Sequence, residues 1–234
     1  MSIQQLGLGL LWYIVFVVSV AFHEAAHGFV ALRLGDPTAR HAGLVTLDPV
    51  PHIRRSPIGM VLVPVVSFLL GGWMIGWAST PYDPFWARAN RRSAAGMALA
   101  GPAANLLLVL LAALAIRLGM LFGVFAAPQE VTWTHVTAAP SAGLAIGPAI
   151  AVSILFSLNL ILLIFNLLPL PPLDGAEILG LFLNDRAAER YREFMAQPVA
   201  GILGLVVAWN VIDVILGPVQ RLALTLLYPG TAYH

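Results

Sequence analysis

His23, Glu24 and His27 are the residues of this chain best placed to do chemistry. They lie in the octet Ala-Phe-His-Glu-Ala-Ala-His-Gly over residues 21–28. Around them, from Leu6 to Ala31, almost every side chain is apolar or small. On a helix, His23 and His27 stand about 40° apart around the axis and roughly 6 Å apart along it. Both imidazoles then reach one metal ion. Glu24 follows the first ligand and is placed to take a proton from a water held there. This is the HExxH spacing of zinc hydrolases. In a soluble chain three fixed residues turn up by chance. Inside an apolar span chance is the poorer account, because a central charge costs about 2.5–3.5 kcal/mol to insert and a function must offset it.

Two imidazoles do not complete a catalytic zinc site, which uses three protein ligands and an open position. The chain has no cysteine, so the third ligand is His, Asp or Glu. Asp174 fits. It ends the run Asn-Leu-Leu-Pro-Leu-Pro-Pro-Leu-Asp over residues 166–174, whose prolines forbid a regular helix and keep the backbone extended. That backbone aims the carboxylate sideways, toward the first helix. The other use of Asp174 is as N-cap of a following helix. With His-Glu-Ala-Ala-His upstream, ligation of one Zn2+ by His23, His27 and Asp174, with Glu24 as general base, is the reading taken.

The elements that must carry these residues belong to a membrane. Of 234 residues, 59% are hydrophobic and only 10% charged, and the mean hydropathy is +0.88. Such a balance describes an all-α polytopic membrane protein. A net charge of +1 offers nothing to nucleic acid. No basic residue precedes the first apolar run, so it is expected to be a retained span rather than a cleaved signal.

About five to six membrane segments are expected. The first runs from Leu6 to Leu34 and stops at Gly35-Asp36-Pro37. Residues 41–51 read as a strand and turn on the membrane surface. Residues 58–78 are apolar but interrupted by Pro64 and Gly71-Gly72. If they crossed, Arg88, Arg91 and Arg92 would face Arg33, Arg40, Arg54 and Arg55 across the bilayer. The positive-inside rule favours a re-entrant turn, with a helix to about Leu70 and an extended return through Trp73–Ala78. A small re-entrant or surface β element is therefore expected between the first and third segments, a plain spanning helix being the alternative. Further spans follow at Ser93–Leu121, Gly143–Leu168 and Pro198–Tyr228, the last with a possible break at Gly217-Pro218. Phe122–Ser141 suits an outside loop, and Arg186, Arg190 and Arg192 mark a cytoplasmic segment. The whole, residues 1–234, reads as one membrane-embedded domain, with a catalytic core over 6–183 and a C-terminal membrane helix over 198–228.

Three motifs together carry a resemblance. His-Glu-Ala-Ala-His in a first membrane helix, Gly101-Pro102 with Asn105 in a later one, and the segment 166–175 resemble the site-2 protease family of intramembrane zinc metalloproteases. The match covers most of residues 15–180 and is most similar to the compact bacterial type without PDZ or CBS domain. The resemblance implies zinc on His23, His27 and Asp174, Glu24 as general base, and Asn105 and Asn166 lining the cleft. It implies a transmembrane protein or peptide as substrate and a bacterial inner membrane as location. The arginines put the N-terminus outside and the active site toward the cytoplasm.

Other polar residues leave two uses open. Asn105 steadies a substrate carbonyl or the water, or makes an interhelical hydrogen bond. Asn166 holds a substrate backbone, or caps the end of its helix. His52 reads as a surface histidine and Glu177 as an exposed helix residue. Asn210 and Asp213 mark a lateral gate or pair across helices. A non-proteolytic metal-binding transporter or scaffold is the alternative function. A transporter should line both leaflets with ionisable groups, and here they collect on one side. A protease of the prenyl-protein type needs a late Glu ligand, and Glu177 and Glu189 lack a supporting motif. A transmembrane substrate hides its carbonyls in hydrogen bonds and must unwind. Pairing with residues 73–78 would satisfy the freed groups.

Overall fold

The computed structural model describes residues 2–140 and 143–231; Ser141, expected to end the outside loop, lies beyond them. The chain opens with α1 (Ile3–Arg33), capped by Ser2 and Gln5 in a reciprocal pair of hydrogen bonds. Its exposed stripe is Leu6, Leu10, Ile14 and Val18, and its buried stripe is Trp12, Phe16, Val20, His23 and His27. Both stripes are apolar in their N-terminal part. Such a helix has lipid on one side and protein on the other.

Two short helices follow, α2 (Thr38–His41) and α3 (Pro49–Arg55). The expected surface strand over 41–51 is absent. Asp36 Oδ1 accepts the Thr38 amide, and Asp48 Oδ1 accepts the Val50 amide. Each Asp-Pro step thus starts a helix, since proline suits the first turn and aspartate satisfies a free amide. His52 is also not a surface residue. It is buried, and its Nε2 donates to the Thr46 carbonyl at 3.0 Å.

Ile58–Leu62 forms a π-helical turn that continues into α4 (Val63–Gly71). Gly72, at φ 74°, stops the helix in the left-handed conformation. The chain then returns with neither helix nor strand. The Ile75 amide donates to Ser67 Oγ and the Trp77 amide to the Gly59 carbonyl. The return lies backbone to backbone on the π turn: a Cβ on Gly59 would strike the Trp77 carbonyl, and one on Gly76 the Gly59 carbonyl. The turn-back is present without the expected β element. Among the described residues no strand forms, and the only bridges are Ala126↔Ala138 and Thr132↔His135, in the loop after the third apolar segment.

After α5 (Pro84–Ala89) come α6 (Arg91–Leu121), α7 (Ile146–Leu167), the short α8 (Asp174–Leu179), α9 (Asp185–Met195) and α10 (Pro198–Leu227). α10 runs unbroken through Pro218. Among the described residues, four helices are long and apolar enough to cross a membrane: α1, α6, α7 and α10. The count becomes five only if α3 and residues 58–71 are taken as one span, and that pair is bent by 113°. The expected five to six segments are thereby reduced, because the second apolar run is spent on a hairpin.

α6 is the central helix and packs along α1 and α7. One core joins α6, α7 and α10 through Ile116, Phe156, Leu160 and Ala208. A second joins α1, α7 and the hairpin through Trp12, Phe16, Met60, Met74 and Ile154. α10 meets the hairpin where Trp209 stacks on Trp73 with centroids 5.8 Å apart.

Candidate metal centre

His23 and His27 lie on the buried stripe of α1, both 7% exposed. Their Nε2 atoms are 3.0 Å apart. Asp174, from α8, completes the cluster: Oδ2 lies 3.2 Å from His23 Nε2 and Oδ1 lies 3.3 Å from His27 Nε2. Asp174 makes no capping hydrogen bond to α8. Its position follows from the prolines, which end α7, and from Gly175, where a Cβ would strike the carbonyls of Leu167 and Leu168. α8 therefore starts hard against the end of α7.

The far side of each imidazole is tied. His23 Nδ1 meets Asn105 Oδ1 at 2.6 Å, and His27 Nδ1 meets the Met97 carbonyl at 2.8 Å. Neither oxygen can donate, so both Nδ1 atoms carry hydrogen and a neutral ring presents a bare lone pair at Nε2. Asp174 Oδ2 receives no hydrogen bond although it is buried. With both rings neutral, three acceptors crowd one point and repel one another unless a proton or a metal cation sits between them.

The spacing suits zinc. Tetrahedral ligands at about 2.0–2.1 Å stand roughly 3.3 Å apart, against 3.0, 3.2 and 3.3 Å here. Gly101 of α6 leaves the room: a Cβ there would strike Nε2 of both histidines. Pro102, inside α6, withholds the amide that the Ala98 carbonyl four residues back would accept.

Glu24 is buried on α1 beside the cluster, and its carbonyl accepts the Thr80 hydroxyl at 2.9 Å. Asn105 is fully buried, with Oδ1 on His23 and Nδ2 donating to Asn159 Oδ1. Asn166 stands apart from this group. Its Nδ2 donates to the Leu162 carbonyl at 3.0 Å, one turn back on α7. Glu177, expected on an exposed helix face, is half-buried; burial pushes its carboxyl up, and the nearby Arg192 charge offsets this only in part. Asn210 donates to Val206 of its own helix and Asp213 is exposed, so the two do not pair across helices. Asn159 and Ser19, which sequence reasoning passed over, are wholly buried in hydrogen bonds behind the site. The signal was a polar side chain in an otherwise apolar stretch of each helix.

A sequence model of peptidase family M50 matches residues 11–208. Over 175 residues the chain is 35% identical to "Putative zinc metalloprotease YwhC" of Bacillus subtilis (strain 168), covering 74% of this chain and 69% of that one. It is 29% identical over 182 residues to "Putative zinc metalloprotease Rip2" of Mycolicibacterium smegmatis, covering 78% and 61%. To the protein of the same name from Mycobacterium tuberculosis (strain ATCC 25618 / H37Rv) it is 31% identical over 159 residues, covering 68% and 52%. The chain therefore spans between half and seven-tenths of these relatives. No solved structure matches it.

Proposed function

This chain belongs to peptidase family M50, and from that premise we propose that it hydrolyses peptide bonds in or near the transmembrane segments of other membrane proteins. It is an integral membrane metalloprotease whose metal is zinc. The observation that carries the finer reading is the convergence of His23, His27 and Asp174, with buried Glu24 beside them, within helices that expose apolar side chains. A site among such helices is reached most directly by a substrate that is itself in the bilayer.

His23, His27 and Asp174 hold the metal in this proposal. Zinc, when bound, supplies Lewis acidity that brings the pKa of water toward about 7 and polarises a carbonyl. Glu24 takes the proton from the attacking water as the new C–O bond forms. It then passes that proton to the amine as the C–N bond breaks. Asn105 holds His23 rather than touching substrate, and Asn166 steadies the end of α7. The substrate is held unwound beside residues 73–78. Support comes from the amides of Ile75 and Trp77, which both bond the hairpin. In an extended chain the alternate amides then point to the opposite edge.

The protein acts as a single membrane-embedded unit over residues 1–234, with its core at 6–183 and a C-terminal helix at 198–228. The N-terminus lies outside and the site opens toward the cytoplasm of a bacterial inner membrane. Support for this orientation is that all arginines except Arg117 and Arg221 belong to segments at the metal-site end of the helices.

The test is zinc content and cleavage of a membrane-embedded model peptide by the full chain. Glu24→Gln keeps zinc and loses cleavage by at least about 100-fold, as removal of a general base does. Asp174→Ala lowers both. Full cleavage by Glu24→Gln overturns the proposal.

A further inference from the structure

We infer that Asn159 is a positioning residue for the metal site: acting through Asn105, it sets which nitrogen of His23 carries the proton. The inference rests on the metalloprotease reading above. Leu155 O accepts from Asn159 Nδ2 at 2.8 Å. A carbonyl only accepts, so the amide nitrogen of Asn159 must face it. The other hydrogen of that nitrogen goes to Ser19 Oγ of α1, at 2.9 Å. Both donors are then used, and Asn159 Oδ1 is left facing α6.

There it accepts Asn105 Nδ2 at 2.8 Å. The orientation of Asn105 follows. Its nitrogen points to Asn159, so its oxygen points to His23 Nδ1, 2.6 Å away. That oxygen accepts, so Nδ1 must carry hydrogen and Nε2 of the neutral ring must be bare. Turning Asn105 alone would set two amide oxygens against each other. Turning both asparagines would set Asn159 Oδ1 against the Leu155 carbonyl. Ser19, Asn105 and Asn159 are each 0% exposed, so water offers no substitute partner. The sense of the whole relay is therefore dictated by an oxygen on α7 and delivered to a ligand on α1.

The consequence is metal affinity. An imidazole whose proton sits on Nε2 cannot ligate there, and loss of such an outer partner typically costs 10–100-fold in affinity. Asn159→Leu should weaken zinc binding by that range. Because Asn159 acts through Asn105, the losses should not add: Asn159→Leu placed on Asn105→Leu should change affinity no further.

The experiment uses the full chain in detergent. Zinc affinity is read by chelator competition for the wild type, Asn159→Leu, Asn105→Leu and the double variant, with Asn159→Ala replacing Asn159→Leu if that variant does not fold. In parallel, 15N-histidine labelling of the metal-free protein follows the Nδ1–H of His23. The wild type should show that proton protected from exchange with water, and Asn159→Leu should lose the protection. Additive losses in the double variant, or unchanged protection in Asn159→Leu, overturn the inference. Absence of zinc binding by the wild type overturns the metal reading instead, and leaves the Nδ1–H measurement to judge the relay.

Discussion

Gly101 presses against the imidazole of His23: a Cβ built on this glycine would stand 2.5 Å from Nε2, and it would also strike Nε2 of His27. The volume in front of both Nε2 atoms exists because residue 101 has no side chain. α6 cannot recede, since the buried Ala94, Ala98 and Asn105 seat it in the core. Gly101→Ala should therefore fill the metal position. The expected outcome is loss of zinc by at least about tenfold in affinity, on the scale of disturbed metal surroundings, with the fold retained. Zinc content against thermal unfolding in detergent checks it. A variant that binds zinc as the wild type does would show that α6 yields more than its packing implies.

A second glycine ties the last helix to the segment that carries Asp174. A Cβ on Gly204 of α10 would strike the Pro171 carbonyl, in the irregular segment that leads to Asp174. Gly204→Ala must push that segment or α10 away. Overpacking of this kind costs about 1–3 kcal/mol. The unfolding temperature should fall, and zinc affinity should fall with it because Asp174 moves. Lower stability with unchanged zinc affinity would mean that α10 alone gives way.

Much of this site was legible in the sequence because membrane burial makes polar residues conspicuous. Two histidines and a glutamate in an apolar run demanded an account, and three prolines before Asp174 limited what its backbone could do. The turn-back of residues 58–78 was expected from the arginines, since a full crossing would have set Arg88, Arg91 and Arg92 opposite Arg33, Arg40, Arg54 and Arg55. What was misread depended on local capping or on helix register. Residues 41–51 look strand-like until Asp48 is seen to satisfy the amide of Val50 and start α3. His52 looks like a surface residue until the Thr46 carbonyl takes its Nε2 hydrogen. Asn159 and Ser19 are polar residues on separate spans. Only the rotation of α1, α6 and α7 about their axes brings them into line with Asn105.

The turn after α1 is tied to the start of α5 by one carboxylate, and this gives a pH dependence. Asp36 is buried and accepts the Thr38 hydroxyl, the Thr38 amide and the Asp83 amide. Burial pushes its pKa up, but these three donors outweigh burial and hold it below the ordinary carboxylate value. A lowered folded pKa stabilises the fold above the unfolded pKa of about 4, and that contribution is lost as pH falls through the folded value. Asp36→Ala should cost about 1–2 kcal/mol at neutral pH, the range for a lost helix cap. It should also flatten the acid limb of stability against pH. Unfolding temperatures of both proteins between pH 7 and pH 3 measure this, and parallel curves would rule out Asp36 as the titrating group.

In the proposed reaction the return segment makes a demand on a transmembrane substrate. Ile75 and Trp77 give alternate amides to Ser67 and Gly59, so one edge of this stretch is held by the hairpin. A peptide pairing with the other edge must be extended, and a transmembrane helix is not. Unwinding one turn breaks helical hydrogen bonds that lipid does not replace. Glycine in place of leucine near the cleaved bond eases this by roughly 0.8–1 kcal/mol per residue on propensity scales. Two such replacements, about 1.6–2 kcal/mol together, should raise cleavage by roughly 15–30-fold if unwinding limits the rate, since about 1.4 kcal/mol is a factor of ten. The measurement is initial cleavage rate for a series of model spans differing only in Gly or Leu at the same two positions. Proline at Ile75 would remove the amide that Ser67 accepts and misalign the edge, so it should lower the rate for every span in the series. Equal rates for Gly-rich and Leu-rich spans would place the slow step elsewhere and argue against strand pairing.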